Sequence, residues 1–267
     1  MTGHGRGRRR PRAAAEPFLV GPTPPAGVRW VTIIDQPRAV MAPEGVIFST
    51  APTLAMGSDG VDYYLKGPAL EIIVAEHVGY RLAQLVTLAT PGHALCRIGG
   101  SEERIGFGSR GMRVRGNVDR LLAEHRVANA GLISECIAFD TWIANEDRNV
   151  SNVVGEPVVP EASAIVEIFA IDFEKARILR GEDRFAVTAT TPGRCIPGAT
   201  LLPFCRDQRL YSRMCDRIAA VSRDAIERVF LELSAAIGPI PWADAASDFL
   251  ASRTSRIHSL VRGELNA

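Results

Sequence analysis

The chain changes character once, near Asn117, and that change constrains its fold more than any other feature. Before it lie short runs rich in β-branched residues, at 28–34, 45–49 and 61–66, with further strand-like runs at 93–98 and 104–107 among Gly-rich turns. One helix is predicted in this half, over 70–86. Pro68 stands just ahead of it, where a helix can begin, and Val74, Val78, Leu82 and Leu85 form one stripe. The stretch 51–60 reads as a loop ending in Asp59-Gly60, a strong hairpin signal. After Asn117 the spacing is helical. Leu132, Cys136, Phe139 and Ile143, flanked by Ile133 and Ile137, predict a mostly buried helix over 129–144. An apolar, strand-like run over 163–172 follows, then two helices near 212–237 and 243–264. Strands first and helices afterwards predict an α+β fold with segregated lobes, not alternating α/β units.

At 267 residues, with 46% hydrophobic and 23% charged residues, the chain can bury a substantial core and has ordinary globular composition. Its net charge of +1 is unevenly placed. Arg6, Arg8, Arg9, Arg10 and Arg12 stand in the first 12 residues without an acid, which leaves the remainder at −4. Residues 1–26 therefore read as a disordered Arg/Pro-rich arm, 27–112 as a first lobe and 113–267 as a second. The acidic body is not that of a nucleic-acid binder, so contact with nucleic acid or acidic lipid is confined to the arm. No run reaches the length of a membrane span or has the form of a signal peptide. Five cysteines without a C-x-x-C pair argue against zinc and against a disulfide framework. The expectation is a reduced, cytoplasmic protein.

Two polar segments carry the chemistry. Asp147-Arg148-Asn149-Val150-Ser151-Asn152 places a carboxylate and a carboxamide five residues apart, and Asp172 stands behind the apolar run of the second. Of 31 basic residues 29 are Arg, a bias that a GC-rich genome explains, and the two lysines are Lys66 and Lys175. A lysine retained in such a chain suits a phosphate contact, where a compact point charge fits and a planar fork does not. Phosphoryl transfer needs a lysine on the phosphates, Mg²⁺ held by oxygen ligands, and a carboxylate to orient the attacking hydroxyl. Lys66 at a strand end and Glu76 on the next helix can form the pair that fixes the lysine. Asp147 can serve as base, with Asn152 and Asp172 as metal ligands. Each residue also has a plainer reading: Asp147 to Asn149 as a helix-ending turn, Asp172 as a cap, Glu76 as a helix-surface acid, Lys175 as a surface residue. Their arrival in this order on these elements favours the chemical one.

On these residues the chain resembles the HipA-like kinases, distant relatives of protein kinases and of the phosphatidylinositol-kinase-like group. The resemblance is carried by Tyr64-Leu65-Lys66, by Glu76 with Leu82-Ala83, and by Gly106-Phe107-Gly108-Ser109. It continues in the run from Phe139 to Asn152, in Ile171-Asp172-Phe173, and in Ile240-Pro241-Trp242. It implies a two-lobed protein-kinase-like fold, a β-rich N-lobe with one helix and a mainly helical C-lobe, with ATP in the cleft. It implies Lys66 on the ATP phosphates paired with Glu76, Asp147 as catalytic base, Asn152 and Asp172 as Mg²⁺ ligands, and Phe107 and Gly108 beside the hinge that holds adenine. The chain departs from the pattern in two places. No G-x-G-x-x-G precedes Lys66, which leaves loop 49–60 to cover the phosphates, with Ser49, Thr50 and Ser58 as phosphate contacts, phosphorylation sites or inert loop residues. The second motif reads Asp172-Phe173-Glu174, without a glycine. The function implied is an ATP- and Mg²⁺-dependent phosphotransferase acting on a hydroxyl of a protein or small-molecule acceptor. A nucleotide-binding pseudokinase and an interaction protein recruited through the arm are the alternatives.

Overall fold

The computed structural model describes residues 27–39, 53–99, 104–112, 114–115, 118–159, 165–176, 178–181, 200–205 and 207–266. Its first half is a six-stranded sheet of β1 (Trp30–Ile33), β2 (Arg38–Ala39), β3 (Thr53–Met56), β4 (Asp62–Lys66), β5 (His93–Ile98) and β6 (Arg104–Arg110), in the order β1-β5-β6-β4-β3-β2. The β1–β5 pair is parallel and the other pairs are antiparallel.

The sheet curls until β1 meets the far end of β3. The Ile34 N–H donates to the Met56 carbonyl at 3.0 Å, the Ser58 N–H donates to the Thr32 carbonyl at 2.7 Å, and Ile33 bridges Gly57. Val31, Ile33, Ala55, Tyr63, Ala94 and Cys96 fill the space so enclosed. Two glycines make that packing fit. A Cβ on Gly57 would stand 2.5 Å from a Val31 methyl, and one on Gly108 would stand 2.5 Å from the Cys96 sulfur. Ser58 thus serves the closure of the curl.

Two expectations change here. The stretch 51–60 is not all loop, because Thr53–Met56 pairs with Asp62–Leu65 across the turn that Asp59-Gly60 closes. The strand expected at 104–107 runs on to Arg110, since both neighbouring strands continue to pair with it. The strand expected at 45–49 lies outside the described residues.

Helix α1 (Leu70–Leu85) crosses the other face of the sheet. Val74, Val78 and Leu82 are buried as the stripe requires, whereas Leu85 is 42% exposed. The helix also touches the second lobe. A Cβ on Gly79 would fall 2.5 Å from Phe173, so the glycine permits the segment around Phe173 to approach closely.

The second half holds β7 (Val114–Arg115), α2 (Val118–Ala123), α3 (Leu132–Ile143), β8 (Val153–Pro157), β9 (Val166–Ala170), α4 (Gln208–Ala219), α5 (Arg223–Ile237), α6 (Ala243–Thr254) and α7 (Ile257–Asn266). The strands form an antiparallel sheet in the order β7-β8-β9. Almost every residue of α3 is buried, which is why its sequence is apolar on more than one face. Each of the two long helices expected near the end is two shorter ones. Ser222 starts α5 afresh by accepting the Ala225 N–H at 3.2 Å, and a turn at Ser255 and Arg256 separates α6 from α7. Two buried indoles tie the lobe together, with Trp142 donating to the Leu250 carbonyl at 3.1 Å and Trp242 to the Leu179 carbonyl at 2.7 Å. One apolar core runs from α1 through α3 to α7. Among the described residues Cys96, Cys136, Cys205 and Cys215 are free and buried, and no helix is long and apolar enough to cross a membrane.

Candidate active site between the lobes

Strand β4 ends at Lys66, and the lysine side chain meets residues from both halves of the chain. Its Nζ lies 2.7 Å from Glu76 Oε1, 2.8 Å from Asp172 Oδ1 and 3.3 Å from Glu174 Oε2. Glu76, in the second turn of α1, is 1% exposed. The same Oε1 also accepts the backbone N–H groups of Phe173 and Glu174, each at 3.1 Å. One buried oxygen therefore joins β4, α1 and the segment after β9. Burial opposes the Lys66 charge, but Glu76, Asp172 and Glu174 override it and hold its pKa above the ordinary lysine value. Burial raises the Glu76 pKa above the ordinary glutamate value, although Lys66 draws it back down. Three donors on one oxygen are the surroundings of a carboxylate, which is the form the geometry supports.

Asp172 follows β9 with a φ of 65°. The left-handed region is costly for a residue with a Cβ and recurs at functional sites. Here it turns the chain so that Asp172 faces Lys66 while the next two N–H groups face Glu76.

The loop before β8 is shaped by α3. That helix ends at Ala144, also left-handed with a φ of 54°. Residues 145–149 then lead into a 3-10 turn at Val150–Asn152. The Asn149 amide donates to Asp147 Oδ1 at 3.2 Å, and the Asn152 amide donates to Asp147 Oδ2 at 3.4 Å and to the Asp147 carbonyl. Both amides thus orient the half-buried Asp147 carboxylate. With its NH₂ spent on Asp147, Asn152 keeps its Oδ1 as an acceptor, facing the Ser151 hydroxyl at 3.5 Å.

Arg148 locks this loop to the Asp172 segment. Its buried guanidinium forks onto Asp140 of α3, Nε to Oδ2 at 2.8 Å and Nη2 to Oδ1 at 2.9 Å. Its Nη1 donates to the carbonyls of Asn152 and Ile171, both at 2.7 Å, and its guanidinium carbon lies 5.4 Å over the Phe173 ring. The Ile171 N–H donates to the Asn152 carbonyl at 3.1 Å, so the residues expected to hold metal come from adjacent backbone segments. Glu76, Asp172 and Glu174 offer oxygens all within 4.8 Å of one another.

The structure thus gathers Lys66, Glu76 and Asp172 directly, and sets Asp147 and Asn152 on the loop pinned beside Asp172. Phe107 and Gly108 lie on β6 directly across from Lys66 and Leu65 of β4. Phe107 is buried under α1, with ring centroids 5.1 Å from Tyr80 and 5.8 Å from His93, and Gly108 faces the interior of the curled sheet. The crossing to the second lobe starts beyond them, where the Gly111 N–H donates to the Asp62 carbonyl at 2.7 Å. A groove of about 470 Å³ opens there, lined by Leu54, Tyr64, Arg110, Met112 and Glu156. Ser49 and Thr50 lie outside the described residues, and Lys175 points outward, 4.0 Å from Glu174. Sequence reasoning passed over two residues of the site, Arg148 and Glu174. The signals available were an arginine adjoining the candidate base and a glutamate where the resembled motif has glycine.

No protein-family model matches the sequence, and no curated protein matches it. Among solved structures, the crystal structure of the proinflammatory kinase CtkA of Helicobacter pylori is similar to this chain. The TM-score is 0.50 at 11% sequence identity, over 80% of this chain and 94% of that one. At such identity the likeness is one of fold. The chain has a two-lobed, kinase-like α+β fold, with a curled β-rich first lobe and a largely helical second.

Proposed function

We propose that the chain is an ATP- and Mg²⁺-dependent phosphotransferase of the HipA-like type, which phosphorylates a hydroxyl of a protein or small-molecule acceptor. The observation that carries this reading is the Lys66 ammonium, fixed 2.7 Å from a buried glutamate on α1 and 2.8 Å from an aspartate of the other lobe. A lysine so held presents a point charge to phosphate oxygens, and Glu76 keeps it from turning away.

The residues fit a hard cation. The Asp172 carboxylate and the Asn152 amide oxygen are oxygen donors on adjoining segments, which suits Mg²⁺. When bound, the ion supplies charge neutralisation for the transferring phosphoryl group. The chain's own residues do the rest. Asp147, held by the amides of Asn149 and Asn152, accepts the proton of the acceptor hydroxyl. Arg148 keeps the base loop and the Asp172 segment in one arrangement. The adenine would lie along β6 past Phe107 and Gly108, toward the groove lined by Arg110 and Met112.

Asp147→Asn keeps the shape and removes the proton acceptor. Transfer of phosphate from γ-labelled ATP should fall by roughly 10²–10⁴ while Mg-ATP binding persists. Unchanged transfer would overturn the role of Asp147.

A further inference from the structure

Glu174 is the feature of the site that a phosphate-binding lysine does not need. Its backbone N–H is held by Glu76, so its Cα is fixed, but its side chain is partly exposed and can rotate. Among the described residues its carboxylate has two cationic neighbours, Lys66 at 3.3 Å and Lys175 at 4.0 Å. Its contact with Lys66 is also the longest of the three that Lys66 makes. One ammonium thus faces three carboxylates, which leaves the pocket anionic overall.

We infer that Glu174 is a built-in competitor of the nucleotide phosphates, occupying Lys66 in the free protein and leaving it when the charged polyphosphate arrives. The inference rests on the nucleotide reading of the site. Glu76 cannot play this part, since it is buried and holds two further donors. Asp172 cannot either, because it is needed beside Asn152 for the cation. Glu174 can be displaced at small cost, because water receives its carboxylate. The consequence is selectivity for charge-neutralised nucleotide: without a divalent cation, the polyphosphate meets three carboxylates and a lysine already engaged.

The test is Glu174→Gln, which keeps size and hydrogen-bonding capacity and removes the charge. Binding of ATP is measured by calorimetry with Mg²⁺ and, separately, with EDTA. Affinity for metal-free ATP should rise about tenfold, equivalent to about 1.4 kcal/mol, while affinity for Mg-ATP rises less. Weaker Mg-ATP binding by the variant would make Glu174 a ligand of the cation and overturn the inference. Unchanged affinity in both conditions, with a lower melting temperature of the free variant, would reduce Glu174 to a structural ion pair and overturn it as well. If the wild-type protein binds neither form of ATP, the nucleotide reading fails first, and this inference with it.

Discussion

Arg148 and Asp140 show what one buried ion pair does in this molecule. Both side chains are fully shielded from solvent. The cost of burying the charges is offset by a two-point fork and by two carbonyls on the remaining nitrogen. Arg148→Ala would leave the buried Asp140 carboxylate without a counter-charge, held among the described residues only by the Asn145 amide at 2.9 Å. The expected loss is about 3–5 kcal/mol in urea unfolding, and Arg148→Lys, which keeps charge but not the fork, should recover only part of it. A loss below about 1 kcal/mol for the alanine variant would contradict the locking role. At this scale the sequence was unevenly legible. Lys66 stood out because the chain has two lysines, and Glu76 followed from its place on the next helix. Arg148 is one of 29 arginines, so nothing in its composition marks it. Its importance comes from burial against Asp140, a contact made only when the loop folds back on α3.

Helix α1 faces the sheet, the Asp172 segment and α5 at once. Its inner face carries His77 and Tyr80, packed against His93 of β5, with ring centroids 5.2 Å apart for the two histidines and 5.0 Å for Tyr80 and His93. Burial, then the neighbouring His93 and Arg81, hold the His77 pKa well below the usual value. Burial, with Arg81 and Arg29, lowers that of His93 to about 4. In the folded protein both rings are therefore neutral, while in the unfolded chain they take protons below about pH 6.5. The unfolded state binds more protons there, so stability falls as pH drops below about 6.5, by about 1.4 kcal/mol per pH unit for each ring. For His93 the decline ends near pH 4, where the folded form is protonated too. Urea midpoints at pH 7.5 and 5.0 should show the loss, and His77→Phe should lessen it; a flat profile in the wild type would contradict the neutral pair. The helix itself was plain in the sequence from its apolar spacing. Strand β3 was not, because four residues between Pro52 and Gly57 carry little pattern until β4 pairs with them. The breaks between α4 and α5 and between α6 and α7 were missed because the apolar period runs on through them.

At the scale of the whole molecule, the order of strands and helices was enough to give two segregated lobes, since each half must bury its own kind of apolar face. The curl of the first sheet was not legible. It depends on a parallel pair of β1 with β5, more than 60 residues apart in sequence, and on two glycines whose need for space shows only in three dimensions. The candidate site was legible in its chemistry and not in its wiring. Lys66, Glu76, Asp147, Asn152 and Asp172 were found as residue types in order, whereas the shared Glu76 oxygen and the Arg148 lock are products of folding. The central claim is that these residues bind Mg-ATP between the lobes. The most direct test is thermal unfolding with and without Mg-ATP, for the wild-type protein and for Asp172→Asn. At 100 times the dissociation constant, the ligand should stabilise the wild type by about 2.7 kcal/mol, in a Mg²⁺-dependent manner, and the variant far less. No shift in the wild type at millimolar Mg-ATP, or an equal shift in the variant, would contradict the claim.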